Sequence, residues 1–291
     1  MTARQFFYSE FGALRPLWRL LVFVAASVVC TLVAASIVGP IVEGMFGVLG
    51  LRGLTTESWI ESAGLLAGTA VSLRLIDKRP WSDVWLNAGA ARLRLLAFGF
   101  AIGGCAIALP ILALVSGHWL RETSGPAGSW IGAAVRVSLF LLPAALTEEL
   151  VTRGYVLSVL RETWGWTWAI AATSIVFGAM HLANAGVTAE SIATVTLAGF
   201  FLGGIVYVTR SLYAAWMAHF AWNWTMAVLF HTAVSGIPLD SPLYRYVDAG
   251  PAWATGGVWG PEGGVPAGIG LIVGIAYLFG RRGRQSRREE T

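Results

Sequence analysis

The stretch LTEELVTRG at positions 146–154 places two adjacent carboxylates and an arginine inside the apolar run 129–162, which otherwise reads as a membrane helix. An ionisable side chain at bilayer depth costs roughly 3 kcal/mol on insertion scales, so such groups usually face a protein interior or a wet cavity. At about 100° per residue, Glu149 and Arg153 (i, i+4) share a helix face and can pair, whereas Glu148 points elsewhere and shares its face with Thr152. One glutamate is neutralised locally and the other is left available. Taken alone, the stretch fits a structural Glu–Arg clamp at a helix end in the headgroups equally well.

The composition around this stretch supports the membrane reading. Of 291 residues, 56% are hydrophobic and only 12% charged, with a mean hydropathy of +0.67. Soluble domains carry about a quarter charged residues, so a water-soluble core is excluded. The 35 glycines suit close helix packing in lipid. Cys30 and Cys105 each lie in an apolar run, which leaves neither a disulfide framework nor a cysteine-based zinc site. The first apolar run, 17–42, exceeds the h-region of about 7 to 15 residues in a signal peptide and reads as a retained span.

Crossing the hydrocarbon takes about 20 residues. The runs 17–42, 59–76, 95–115, 129–162, 166–183, 191–208, 212–234 and 265–279 predict an all-α, polytopic transmembrane helical bundle of about eight spans. Charge asymmetry tests that number, because Lys and Arg accumulate in short cytoplasmic loops. With eight spans, one side receives Arg4, Arg15, Arg19, Arg74, Lys78, Arg79, Arg92, Arg94, Arg161, Arg210 and the arginines of the tail 281–288. The other receives Arg52, Arg121 and Arg245, so both termini are expected in the cytoplasm. The basic tail reads as a topology anchor with affinity for anionic lipid and carries no nucleic-acid signal. The segment 80–91 reads as an interfacial connector with Trp81 and Trp85 at headgroup level. The loop 236–264, rich in Gly and Pro, is expected to fold against the outer membrane surface. No internal repeat is visible, and residues 1–291 read as a single integral-membrane domain.

Polar residues inside the other runs gather around the same helix. The fourth and fifth spans form a hairpin with its tip near Trp164, and at about 1.5 Å per residue both Glu148 and His181 lie roughly 25 Å from that tip. Phe177 is one turn from His181. His219 and Asn223 (i, i+4) share a face of the seventh span, but His219 is only about 10 Å above the start of its own helix, which leaves its depth relative to Glu148 open. Singly, each histidine is explained as an interhelical hydrogen-bond partner. Together, two carboxylates, an arginine, two histidines and an asparagine on three apolar helices have the makings of a catalytic pocket. His231 and the tryptophans 216, 222 and 224 read as interface or packing residues.

These residues resemble the signature of the CAAX prenyl protease and bacteriocin-processing family of intramembrane endopeptidases, EExxxR, FxxxH and HxxxN on successive helices. Here it reads Glu148-Glu149 to Arg153, Phe177 to His181 and His219 to Asn223, within a motif-bearing core of about 129–234. Each motif is weak alone, and three in order are fairly specific. Thr152 departs from the Phe that many members carry before the arginine. The resemblance implies that Glu148 activates water, that His181 shares or orients it, that His219 and Asn223 stabilise the oxyanion, and that Glu149 with Arg153 holds the segment in place.

The family is often called metalloprotease, and Glu148, His181 and His219 could together hold a divalent metal such as zinc with an open water position. No HExxH is present and the ligands would come from three helices, so the metal-free reading is preferred. The expected partners are membrane lipids and a hydrophobic or lipid-modified peptide, such as a prenylated CAAX-type or leader-peptide substrate. The expected location is the bacterial inner (plasma) membrane. Two other classes remain open: a proton-coupled transporter and a non-catalytic bacteriocin-immunity or binding protein of the same fold.

Overall fold

A computed structural model of the chain describes residues 3–8, 10, 12, 14–48 and 53–289. Arg52, assigned above to the outer side, lies outside the described residues, as do the side chains of Arg4 and of the basic tail. Of the described residues, 77% are helical. Among the described residues, five helices are long and apolar enough to cross a membrane, Pro16–Ile37, Leu54–Asp77, Leu93–Ser116, Trp130–Met180 and Ala189–Thr209, and Val265–Gly280 is a shorter apolar helix.

In chain order the principal helices are α1 (Pro16–Ile37), α2 (Leu54–Val71), α3 (Leu93–Ser116), α4 (Trp130–Glu149), α5 (Tyr155–Met180), α6 (Ala189–Thr209), α7 (Leu212–Trp224) and α8 (Val265–Glu289). Their starts follow local chemistry. Pro16 opens α1 where its missing N–H costs nothing. The hydroxyls of Ser129, Thr188 and Ser211 accept from backbone N–H groups in the first turns of α4, α6 and α7.

α4 runs into α5 through a π-helical turn, Leu150–Gly154, and α5 is broken at Gly165 (φ 72°), where the chain turns back. The expected fourth and fifth spans are therefore the two arms of one broken 51-residue helical stretch. Around that tip Trp85 packs on Trp166 with ring centroids 5.2 Å apart, and Arg161 and Arg210 lie over the Trp166 ring. Trp85 is thus buried in a cage of aromatic and guanidinium groups, and its carbonyl accepts the Leu212 N–H that starts α7.

Two further contacts fix the bundle. A Cβ on Gly99 or Gly103 of α3 would stand 2.1 Å from the Ala214 or Ala218 carbonyl oxygen, so only glycine lets α3 approach the α7 backbone this closely. At the arginine-rich end, Arg19 of α1 pairs with Asp77 (2.6 Å) and Glu162 (2.7 Å), and Tyr155 donates to Asp77 (2.7 Å). Buried charges here are matched, as low-dielectric surroundings require. Elsewhere Leu, Ile and Val project from α1, α3 and α8, among them Leu32, Leu109 and Ile272, and form the belt that lipid covers.

Three expectations are corrected. The seventh span does not reach residue 234: α7 ends in a π-helical turn, Thr225–Leu229, and the chain leaves the helix there. Helix ends hidden in irregular backbone carry no periodicity signal. Strands β1 (Leu120–Ser124) and β2 (Tyr244–Asp248) pair antiparallel, a small sheet added to the otherwise helical fold. The loop 236–264 does not simply lie on the surface. Its last third forms two 3-10 turns, Gly257–Trp259 and Pro261–Gly263, with Trp259 fully buried and Glu262 6% exposed. Gly260 (φ 103°) allows the sharp turn between them.

Candidate active site

Glu148 lies one residue before the end of α4, at a point where the helix is tightly tied. Thr152 donates from Oγ1 to the Glu148 carbonyl (2.6 Å), and Arg153 donates from Nη1 to Thr152 Oγ1 (2.8 Å) and to Glu149 Oε1 (3.2 Å). Glu149 and Arg153 are both fully buried, and the guanidinium lies 4.1 Å from the Phe177 ring centroid. The pair that the i, i+4 spacing anticipates is therefore present, with the ring supplying further stabilisation for the cation. The π-helical turn after Glu149 belongs to the kind of local register change that recurs at functional sites.

His181 caps the end of α5. Its Nδ1 lies 2.8 Å from the Phe177 carbonyl, which can only accept, so the proton sits on Nδ1 and the other nitrogen is left for the site. His219 repeats the device on α7. Its Nδ1 donates to Glu149 Oε1 at 3.0 Å. The two Nε2 atoms thus both face Glu148, each 3.8 Å from Oε2.

That distance is too long for a hydrogen bond and leaves space for one bridging oxygen. Glu148 Oε2 is itself enclosed and has no hydrogen-bond partner, although the side chain as a whole is 29% exposed. A carboxylate oxygen without a donor, flanked by two imidazole nitrogens, is the environment of a held water. His181, His219, Asn223, Trp222, Ser235 and Glu262 also line a cavity of about 30 Å³, the space of a water and not of a chain.

The structure thus brings Glu148, Glu149, Arg153, His181 and His219 together and sets Asn223 on the same cavity wall as the two histidines. His219, whose depth the sequence leaves open, stands level with Glu148, its Nε2 3.8 Å from Oε2. His231 lies elsewhere, stacked on Tyr244 with centroids 4.5 Å apart. Sequence reasoning missed Glu262, Ser235 and the indole N–H of Trp222. Glu262 and Ser235 sit in a Gly- and Pro-rich loop whose sequence gives no sign of burial, and Trp222 is one of three tryptophans within nine residues.

Glu148, His181 and His219 offer the donor types of a zinc site. Among the described residues, however, no three His, Cys, Asp or Glu side chains are grouped so as to hold a metal ion.

A comparison with curated proteins returns no match. Residues 130–225, which contain all three motifs and none of the outer loop, match the family described as Rce1-like, type II CAAX prenyl endopeptidase. With five apolar helices of membrane-spanning length, the chain is an integral membrane protein, and its site-bearing segment is similar to that family.

Proposed function

We propose that the protein hydrolyses a peptide bond in a membrane-associated substrate, of CAAX-type, prenylated or leader-peptide character, using a water held between Glu148 and the two histidines. The single observation behind this reading is the enclosed, partnerless Glu148 Oε2, equidistant at 3.8 Å from the Nε2 atoms of His181 and His219. In the reaction Glu148 takes a proton from the water, and the oxygen attacks the carbonyl carbon of the scissile bond. His181, its tautomer fixed by the Phe177 carbonyl, orients the water through its Nε2 lone pair. The oxyanion of the tetrahedral intermediate receives hydrogen bonds from Asn223 and from His219. His219 donates there as an imidazolium, since its Nδ1 proton is already committed to Glu149. Glu148 then passes its proton to the departing amine as the C–N bond breaks. Glu149 and Arg153 hold the geometry.

No step in this reading requires a metal. Eight crossings, with α7 and its π-helical turn as the seventh and both termini in the cytoplasm, fit the distribution of arginines, and a bacterial inner membrane is the proposed location. Glu148, whose side chain is 29% exposed, lies within electrostatic reach of Glu61 on α2. That side of the bundle is the proposed approach for the peptide. The test is cleavage of lipid-modified and unmodified peptides by the protein in proteoliposomes. Glu148→Ala, His181→Ala and His219→Ala are each expected to abolish cleavage while the protein still inserts; full activity in any of them would count against the assignment.

A further inference from the structure

The carboxylate of Glu262 is 6% exposed and receives three hydrogen bonds. Trp222 donates from Nε1 to Oε2 (2.7 Å), and Ser235 donates to Oε1 from both its backbone N–H (2.6 Å) and its hydroxyl (2.7 Å). Trp222 precedes Asn223 and lies one turn beyond His219 on α7. Ser235 continues the connection in the other direction. Its carbonyl accepts from Asn184 Nδ2 (3.0 Å), and the Asn184 backbone N–H donates to the His181 carbonyl (3.1 Å). A continuous hydrogen-bonded strut therefore runs from the turn bearing His219 and Asn223, through Glu262, Ser235 and Asn184, to the helix end bearing His181.

We infer that Glu262 is a positioning residue for the reaction: its carboxylate fixes the His219–Asn223 turn against the His181 helix end, so that both imidazoles stay trained on Glu148. This rests on the protease reading and extends it to a residue outside the segment 130–225 that the family match covers. A carboxylate is needed because it only accepts, and two oxygens can satisfy three donors. A glutamine in the same place must turn its NH2 towards either the indole N–H or the Ser235 N–H, a donor facing a donor in a buried site. The outer loop is accordingly a fixed wall of the catalytic chamber, gripped at Glu262 and seated by the fully buried Trp259, whose ring lies 6.3 Å from that of His181.

The experiment is a double-mutant cycle on the full-length protein in proteoliposomes, with Glu262→Gln, Trp222→Phe and their combination, read as kcat and KM separately and beside a thermal unfolding profile. Trp222→Phe removes the N–H and keeps most of the ring, so that in the double variant the glutamine carbonyl can serve Ser235 and its NH2 no longer faces a donor. Glu262→Gln is expected to lower kcat about tenfold to a hundredfold, the penalty of misplacing catalytic groups by up to about 1 Å, with KM changed by less than about threefold. The double variant is expected to lose no more than Glu262→Gln alone. The inference is overturned if wild-type cleavage is abolished by Glu148→Ala yet Glu262→Gln keeps kcat within about twofold, or if the two single losses multiply. A loss of thermal stability with unchanged kcat overturns it as well. If the wild-type protein shows no Glu148-dependent cleavage, the protease reading itself falls and this inference with it.

Discussion

Each imidazole in the site is oriented by the proton on the nitrogen that faces away from Glu148: His181 by the Phe177 carbonyl and His219 by the Glu149 carboxylate. In the proposed mechanism the residues that fix the tautomers thus matter as much as those that would touch the water. Asn223→Ala removes the side chain proposed to donate to the oxyanion, on the cavity wall it shares with the two histidines. It is expected to lower kcat about a hundredfold or more with little change in KM, as measured by steady-state cleavage in proteoliposomes. Arg153→Ala leaves the fully buried Glu149 carboxylate without its cation and is expected to destabilise the protein by about 3–5 kcal/mol in thermal or denaturant unfolding. Adding Glu149→Gln should recover part of that loss. At this scale much was legible in advance. The Glu149–Arg153 pair follows from i, i+4 spacing, and the three motifs carry the rest of the proposed site. Glu262 was not legible, because its partners Trp222 and Ser235 are 40 and 27 residues away in the chain and no periodicity links them.

The elements that present these side chains depend on close helix approach and on two departures from α-helical register. π-helical turns follow directly after Glu149 and after Trp224, so two of the three site-bearing helices, α4 and α7, change register just beyond the groups they deliver. Such turns have no sequence signature in an apolar run, which is why the end of the seventh span was misplaced. The α3–α7 contact provides a sharp test. Gly103→Ala puts a methyl group 2.1 Å from the Ala218 carbonyl oxygen, next to His219, and must push the two helices apart. Gly104→Ala is the matched control, since its nearest neighbour would be 3.5 Å away. Gly103→Ala is expected to lower both the unfolding temperature and the cleavage rate, the latter at least about tenfold, whereas Gly104→Ala leaves both near wild type.

Over the whole molecule, the apolar helices, the broken stretch around Gly165 and the arginine-rich end were readable from hydropathy and charge. Burial of the outer loop was not. Glycine and proline signal a turn without saying which side of the chain it will cover, and Trp259 looks the same whether it meets lipid or a protein interior. The proposed topology is checked by labelling cysteines introduced near the termini: both are expected to react only from the cytoplasmic face. On the proposed metal-free mechanism, cleavage is expected to persist within about twofold after thorough chelation. A chelated protein whose activity returns only with added zinc would reverse that reading.

The most direct measurement is single-turnover cleavage by Glu148→Gln in proteoliposomes, with peptide binding followed in the same sample. Glutamine keeps the shape and the location of the side chain but takes no proton from water, so binding should persist while the rate falls by about a thousandfold or more, within the range of general-base contributions. Cleavage by Glu148→Gln within a few-fold of wild type would show that another group activates the nucleophile.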